Sequence, residues 1–204
     1  YPYAALGFSD FWRRWHISLS SWLRDYLYVP LGGNRKGPGR TYVNLMLTML
    51  IGGLWHGAAW TFVVWGGLHG LYLVVERFLR QRIGDWPMWQ RWYSRVLLIA
   101  LTYALVNLTW VFFRAQEFAT AWRVLGRMLG FGAEGAPILS TYALASVLVV
   151  MLPLLAVHGW MRERELHIEV QRLPTLAVGV LWAAMALLIA ITQGGSDAFI
   201  YFQF

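Results

Sequence analysis

The sequence predicts an all-α integral membrane protein, a polytopic helical bundle that includes amphipathic interfacial or re-entrant helices. Three observations lead there. The 204 residues are 58% hydrophobic and only 13% charged, against about 25% charged in an ordinary soluble domain. Several apolar runs approach or exceed the roughly 20 residues needed to span a bilayer. The basic residues, nearly all Arg, stand between those runs rather than along one face, as anchors in loops do. The net charge of +7 therefore reads as membrane orientation, not as a nucleic-acid surface. With no cysteine, disulfides, a thiol nucleophile and thiolate metal ligands are excluded. Residue 1 is Tyr, with no charged n-region or cleavage site after it, so the expectation is a fragment whose N-terminal helices are missing and no signal peptide.

Residues 9–29 read as one amphipathic helix capped by Ser9 or Asp10. On a 100° wheel His16, Trp12, Leu19, Leu23 and Leu27 share one face, and Asp10, Arg14, Ser18, Ser21 and Asp25 share the other. Asp10 and Arg14 also stand in the favourable i, i+4 order. His16 is thus expected on the buried face, with Ser20 beside it and a polar cavity between them. Pro30 ends the helix. Leu31 to Arg40 is a turn-rich basic loop carrying Arg35 and Lys36. Its glycines and cations could hold phosphate, but no GKS or GKT signature supports that.

Residues 41–75 contain no Asp, Glu, Lys or Arg. As one helix they would measure about 52 Å, beyond a hydrocarbon core of about 30 Å. A break at Gly52, Gly53 and Gly57 divides them into helices near 41–54 and 58–79, with His56 at the break. Residues 76–95 form a second Arg-rich connection. A span near 96–113 follows, then an amphipathic piece near 115–130, a Gly-rich segment at 130–136 and a span near 137–157. A mixed-charge loop at 161–172 leads to a last span at 174–193, and an aromatic tail, Phe199 to Phe204, closes the chain. If residues 41–75 pass in and back out, both basic segments share one side, which the positive-inside rule makes cytoplasmic.

Ionisable residues at membrane depth are the informative ones. His56 stands in the longest uncharged run, and a neutral imidazole can accept a proton from a hydroxyl. His16 is its candidate companion. Thirteen residues separate His69 from His56, about 20 Å along a straight helix, so His69 reads as structural. His158 and His167 sit by a charged loop and read as solvated. With Glu163, Glu165 and Glu169 they make no compact metal-ligand pattern, and no GxSxG elbow makes a nucleophile of Ser18, Ser20 or Ser21.

Six segments carry a resemblance that covers essentially the whole chain and is most specific over residues 10–77: Asp10-Phe11-Trp12-Arg13-Arg14-Trp15-His16-Ile17-Ser18-Leu19-Ser20, then Trp22 through Arg35, Gly53-Leu54-Trp55-His56-Gly57, Trp65-Gly66-Gly67-Leu68-His69-Gly70, Trp110-Val111-Phe112-Phe113-Arg114 and the closing Phe199-Ile200-Tyr201-Phe202-Gln203-Phe204. Together they resemble the membrane-bound O-acyltransferase family, nearest its bacterial alginate O-acetylation branch. The resemblance implies that His56 is the catalytic histidine and that His16 lines the same tunnel. Trp55, Ser20, Arg35 and Lys36 become candidate tunnel-lining or donor-side residues. It further implies a bacterial inner-membrane, multi-pass enzyme with no bound cofactor. An acyl thioester, acetyl-CoA or an acyl-carrier, is then the donor, a polysaccharide such as alginate is the acceptor, and a periplasmic or extracellular acetyltransferase is a partner. D-alanyl transfer to a cell-envelope polymer and a non-enzymatic transporter are the alternatives.

Overall fold

A computed structural model describes residues 1–131 and 140–192. The aromatic tail and most of the Gly-rich segment fall outside the described residues. Among those residues all regular structure is helical. The chain divides into two units, Tyr1–Gly159 and Trp160–Phe204.

In the first unit the predicted 9–29 helix is two helices, α1 (Phe8–Arg14) and α2 (Ile17–Leu23), followed by a π-helical turn, Arg24–Tyr28. The break is at Trp15, which is extended, and His16, which is left-handed at φ 45° and ψ 53°. Its cause is tertiary. Leaving the helix lets the Trp15 ring pack on Phe11 at 5.9 Å and on Trp110 at 5.4 Å. Ser20 compensates by donating its hydroxyl to the stranded Trp15 carbonyl at 3.0 Å. Leu19 and Leu23 are buried as the wheel implies. The wheel fails for His16, which is exposed within this chain, because a helical register cannot run through a left-handed residue.

The start of α1 also departs from expectation. Neither Ser9 nor Asp10 caps it. Glu76, far along the chain, accepts hydrogen bonds from the Phe8 N–H and, at 3.0 Å, from the Ser9 N–H. Thr102 Oγ1 accepts from the Gly7 N–H at 3.1 Å. A carboxylate suits a helix N-terminus, where unpaired N–H groups and the dipole both favour negative charge. Asp10 instead accepts from the Leu6 N–H and pairs with Arg14 at 2.9 Å.

α3 (Gly37–Trp55) and α4 (Trp60–Ile83) form an antiparallel hairpin closed by His56-Gly57-Ala58-Ala59. The break at His56 falls where the glycine pattern places it, but Gly52 and Gly53 stay helical. They serve close approach instead: a Cβ on Gly53 would stand 3.3 Å from Gly66 Cα and would overlap the Phe62 carbonyl. Only residues without side chains let two backbones come this near. At the other end of the hairpin Tyr42 donates to Gln81 at 3.0 Å, and the Asn44 amide donates to the Gly33 carbonyl at 3.0 Å, which ties down the basic turn bearing Arg35 and Lys36.

The Arg-rich connection expected at 76–95 is shorter. α4 continues through Glu76, Arg77, Arg80 and Arg82, and α5 begins at Trp92. Arg and Glu are good helix formers, and long Arg stems reach water from a helix end. α5 (Trp92–Arg114) packs on α4, and the amphipathic α6 (Phe118–Met128) buries Ala121 and Leu125 against Trp65 and Phe112. A second buried cluster joins Ala5, Phe8, Phe11, Met49, Leu73 and Val106. α4 and α5 are long and apolar enough to cross a membrane. α7 (Thr141–Trp160) is apolar on every face and almost wholly exposed within the chain, the character of a helix covered by lipid or by other helices.

In the second unit the mixed-charge loop contains a short helix, α8 (Leu166–Gln171), where Glu169 pairs with Arg164 at 3.2 Å and Arg172 at 2.9 Å. α9 (Thr175–Thr192) is apolar.

Candidate active site

His56 is the first residue after α3, with helical dihedrals, and its N–H bonds the Gly53 carbonyl at 3.0 Å. The close backbone contact at Gly53 and Gly66 holds this turn against α4. Aromatic rings then surround the imidazole. Phe113 and Trp65 meet it edge to face, with ring centres at 4.9 and 5.2 Å, and Phe62 lies at 6.2 Å. Trp65 and Phe113 also touch each other, at 5.2 Å. The residue is half-buried, so the aromatic contacts leave part of it accessible. An imidazole so held has few orientations, and little conformational freedom remains to be lost when it takes a proton.

Trp55 connects the two histidines named from the sequence. Its ring centre is 5.2 Å from that of His56 and 6.5 Å from that of His16. The left-handed turn aims His16 towards the α3–α4 turn, although its own helix is exposed there. Trp55 is itself exposed within this chain, as is Trp60 on the far side of the turn. Ser20 lies on the His16 side, half-buried, with its proton committed to the Trp15 carbonyl. Arg35 and Lys36 are exposed in the basic turn before α3, at the opposite end of α3 from His56. His56, Trp55 and His16 therefore gather around one turn, and the two cations stand about 28 Å away along the helix.

His69 is fully buried. Its Nε2 shares a 2.9 Å hydrogen bond with Thr109 Oγ1 on α5, and Phe11, Trp12, Trp65 and Tyr72 enclose the ring. This is the position of a core histidine. His167 is exposed beside Glu165. His158 departs from expectation: it is half-buried, stacked on Tyr3 at 5.1 Å with Tyr1 at its edge. An apolar helix with aromatic neighbours, not the nearby charged loop, decides its surroundings. Phe113 escaped the residue-by-residue reading of the sequence. Its one signal was membership of the Trp110 to Arg114 motif, since a phenylalanine in an apolar helix carries no local mark of what it faces.

The chain belongs to the membrane-bound O-acyltransferase family, whose profile matches residues 4–110, a region that holds α1 to α4, most of α5, and His16, Trp55, His56, Trp65 and His69 but not Phe113. Two probable alginate O-acetylases, AlgI, are similar to it: that of Azotobacter vinelandii is 46% identical over 78% of this chain and 31% of its own length, and that of Pseudomonas putida is 51% identical over 64% and 26%. The peptidoglycan O-acetyltransferase of Helicobacter pylori is 48% identical over 63% of this chain and 24% of its own. The chain thus spans about a quarter to a third of the length of these relatives.

Proposed function

We propose that this chain carries the reaction centre of a bacterial membrane O-acetyltransferase that modifies an exopolysaccharide of the alginate kind, with His56 as general base. The observation that carries the reading is the His56 turn, where a half-buried imidazole is held by Phe113 and Trp65, inside the region that matches the family. The acceptor hydroxyl gives its proton to the neutral His56 ring as its oxygen attacks the thioester carbonyl. The tetrahedral intermediate then expels the thiolate, which takes the proton back from the imidazolium. The aromatic wall excludes water, which would otherwise hydrolyse the thioester. His16, across Trp55, is placed to hold the second substrate, and Ser20 and Trp55 line its approach.

The donor is an acyl thioester, acetyl-CoA or an acyl-carrier, arriving on the cytoplasmic side near Arg35 and Lys36. The acceptor side is periplasmic, where a second acetyltransferase completes delivery to the polymer. The protein is a multi-pass protein of the inner membrane. α4 and α5, long and apolar enough to cross it, serve as its spans, and α3 is the other arm of the hairpin that carries His56 at its turn. The remaining helices of the tunnel come from outside this chain.

The test is His56→Ala in the full-length protein, read by mass spectrometry of the polymer and by immunoblot of membranes. The expected result is loss of acetyl ester with normal protein accumulation. Normal acetylation in the variant overturns the assignment, and a D-alanyl ester in place of acetyl on the parent's polymer moves the reading to aminoacyl transfer.

A further inference from the structure

Among the buried nitrogens of the first unit that find no hydrogen-bond partner among the described residues are Trp12 Nε1, Trp65 Nε1 and His69 Nδ1. They belong to three rings in mutual contact. Trp65 and His69 centres are 4.8 Å apart, Trp12 and His69 5.2 Å, and Trp12 and Trp65 5.8 Å. Trp65 is 3% exposed and His69 0%. Each unpaired buried polar group is costly, so three in one cluster ask for a common partner.

Proton counting identifies that partner. Thr109 has one hydroxyl proton, which it donates to the Val106 carbonyl at 2.7 Å. Its oxygen then accepts from His69 Nε2 at 2.9 Å. With the Thr109 proton on Val106, His69 is protonated on Nε2 and Nδ1 carries a bare lone pair. The cluster offers two N–H donors and one acceptor. A water molecule has the complementary set: it can accept from both indoles and donate to the imidazole, and three partners are typical of a buried water.

We propose that Trp12 Nε1, Trp65 Nε1 and His69 Nδ1 together bind a single buried water molecule behind the wall of the His56 site. The water fixes the Trp65 indole, which meets the His56 ring at 5.2 Å and 88°. Trp12 and His69 are then positioning residues acting on His56 through Trp65; this consequence rests on the acyl-transfer reading, whereas the water site does not.

The test uses the full-length protein in lipid nanodiscs with ¹⁵N-labelled histidine, the His69 signals being assigned by their loss in His69→Gln. The expected spectrum has His69 Nε2 protonated and Nδ1 unprotonated but shifted as a hydrogen-bond acceptor. A protonated Nδ1, or an unprotonated one at the unbonded position, overturns the proposal. Replacing Trp12 by its benzothienyl isostere removes the N–H and keeps the shape. The Nδ1 signal should then move and the melting temperature fall, because a three-partner water loses a donor. An unchanged signal with an unchanged or higher melting temperature overturns it, since that is how a merely unpaired N–H behaves. In acetyl-transfer assays the same isostere should lower kcat several-fold with KM unchanged, and no change in kcat removes the positioning role. If His56→Ala retains activity, the acyl-transfer reading fails while the spectroscopic arms still decide the water site.

Discussion

Replacing Gly53 by Ala tests the packing that places the candidate base. An alanine Cβ there would overlap the Phe62 carbonyl and stand 3.3 Å from Gly66 Cα. Backbone atoms cannot swing aside as a side chain can, so α3 and α4 must separate by on the order of 1 Å. Overpacking of this kind costs about 1–3 kcal/mol. Alanine returns about 1 kcal/mol through helix propensity, which leaves a net loss of about 0–2 kcal/mol. Gly39→Ala in the first turn of the same helix is the control. Nothing lies within 4 Å of a Cβ at that position, so only the propensity gain remains, a few tenths to about 1 kcal/mol. The assay is thermal unfolding of the full-length protein in one detergent. Gly53→Ala should melt a few degrees below the parent and Gly39→Ala at or slightly above it. Because the His56 turn begins three residues after Gly53, acetyl transfer should also fall by about ten- to a hundred-fold, as displacements near 1 Å do at reaction centres. A Gly53→Ala protein that melts with or above Gly39→Ala refutes the close-packing argument.

Other substitutions probe the remaining supports. Glu76→Ala strips the N-terminus of α1 of two accepted N–H bonds and its ion pair with Arg80 at 2.8 Å. About 2–3 kcal/mol of stability should be lost, and Glu76→Gln, which keeps an acceptor, should lose about half as much; equal melting temperatures for Glu76→Ala and the parent would contradict the capping role. At His16 the left-handed backbone predicts that Gly is tolerated within about 0.5 kcal/mol, while Val falls about 1–2 kcal/mol below Gly. Melting curves of His16→Gly and His16→Val that superimpose would exclude that conformation. Both should lose acetyl transfer.

Much of this was legible from residues alone. Composition and apolar run lengths settle a helical membrane protein, because the bilayer leaves the backbone few other ways to satisfy its hydrogen bonds. The uncharged stretch at 41–75 is too long for one crossing, so a break was required, and the glycines around His56 marked it. The Asp10–Arg14 pair and the amphipathic α6 followed from spacing. What the sequence could not carry were choices between local and distant partners. Ser9 and Asp10 look like caps, yet Glu76 has that role, because a carboxylate delivered by α4 fits the α1 N-terminus better than any neighbour in the chain. A wheel drawn through residues 9–29 assumes an unbroken helix, and the packing of Trp15 on Phe11 and Trp110 outweighs that continuity. His16 consequently left the face assigned to it and came to stand across Trp55 from His56 by another route. The aromatic wall shows the same limit. Trp65 comes from α4 and Phe113 from the end of α5, and only the packing of those two helices brings the rings onto one imidazole. Periodicity reports which face of a helix is apolar; which helix that face meets depends on contacts between residues far apart in sequence, and those exist only once the chain has folded.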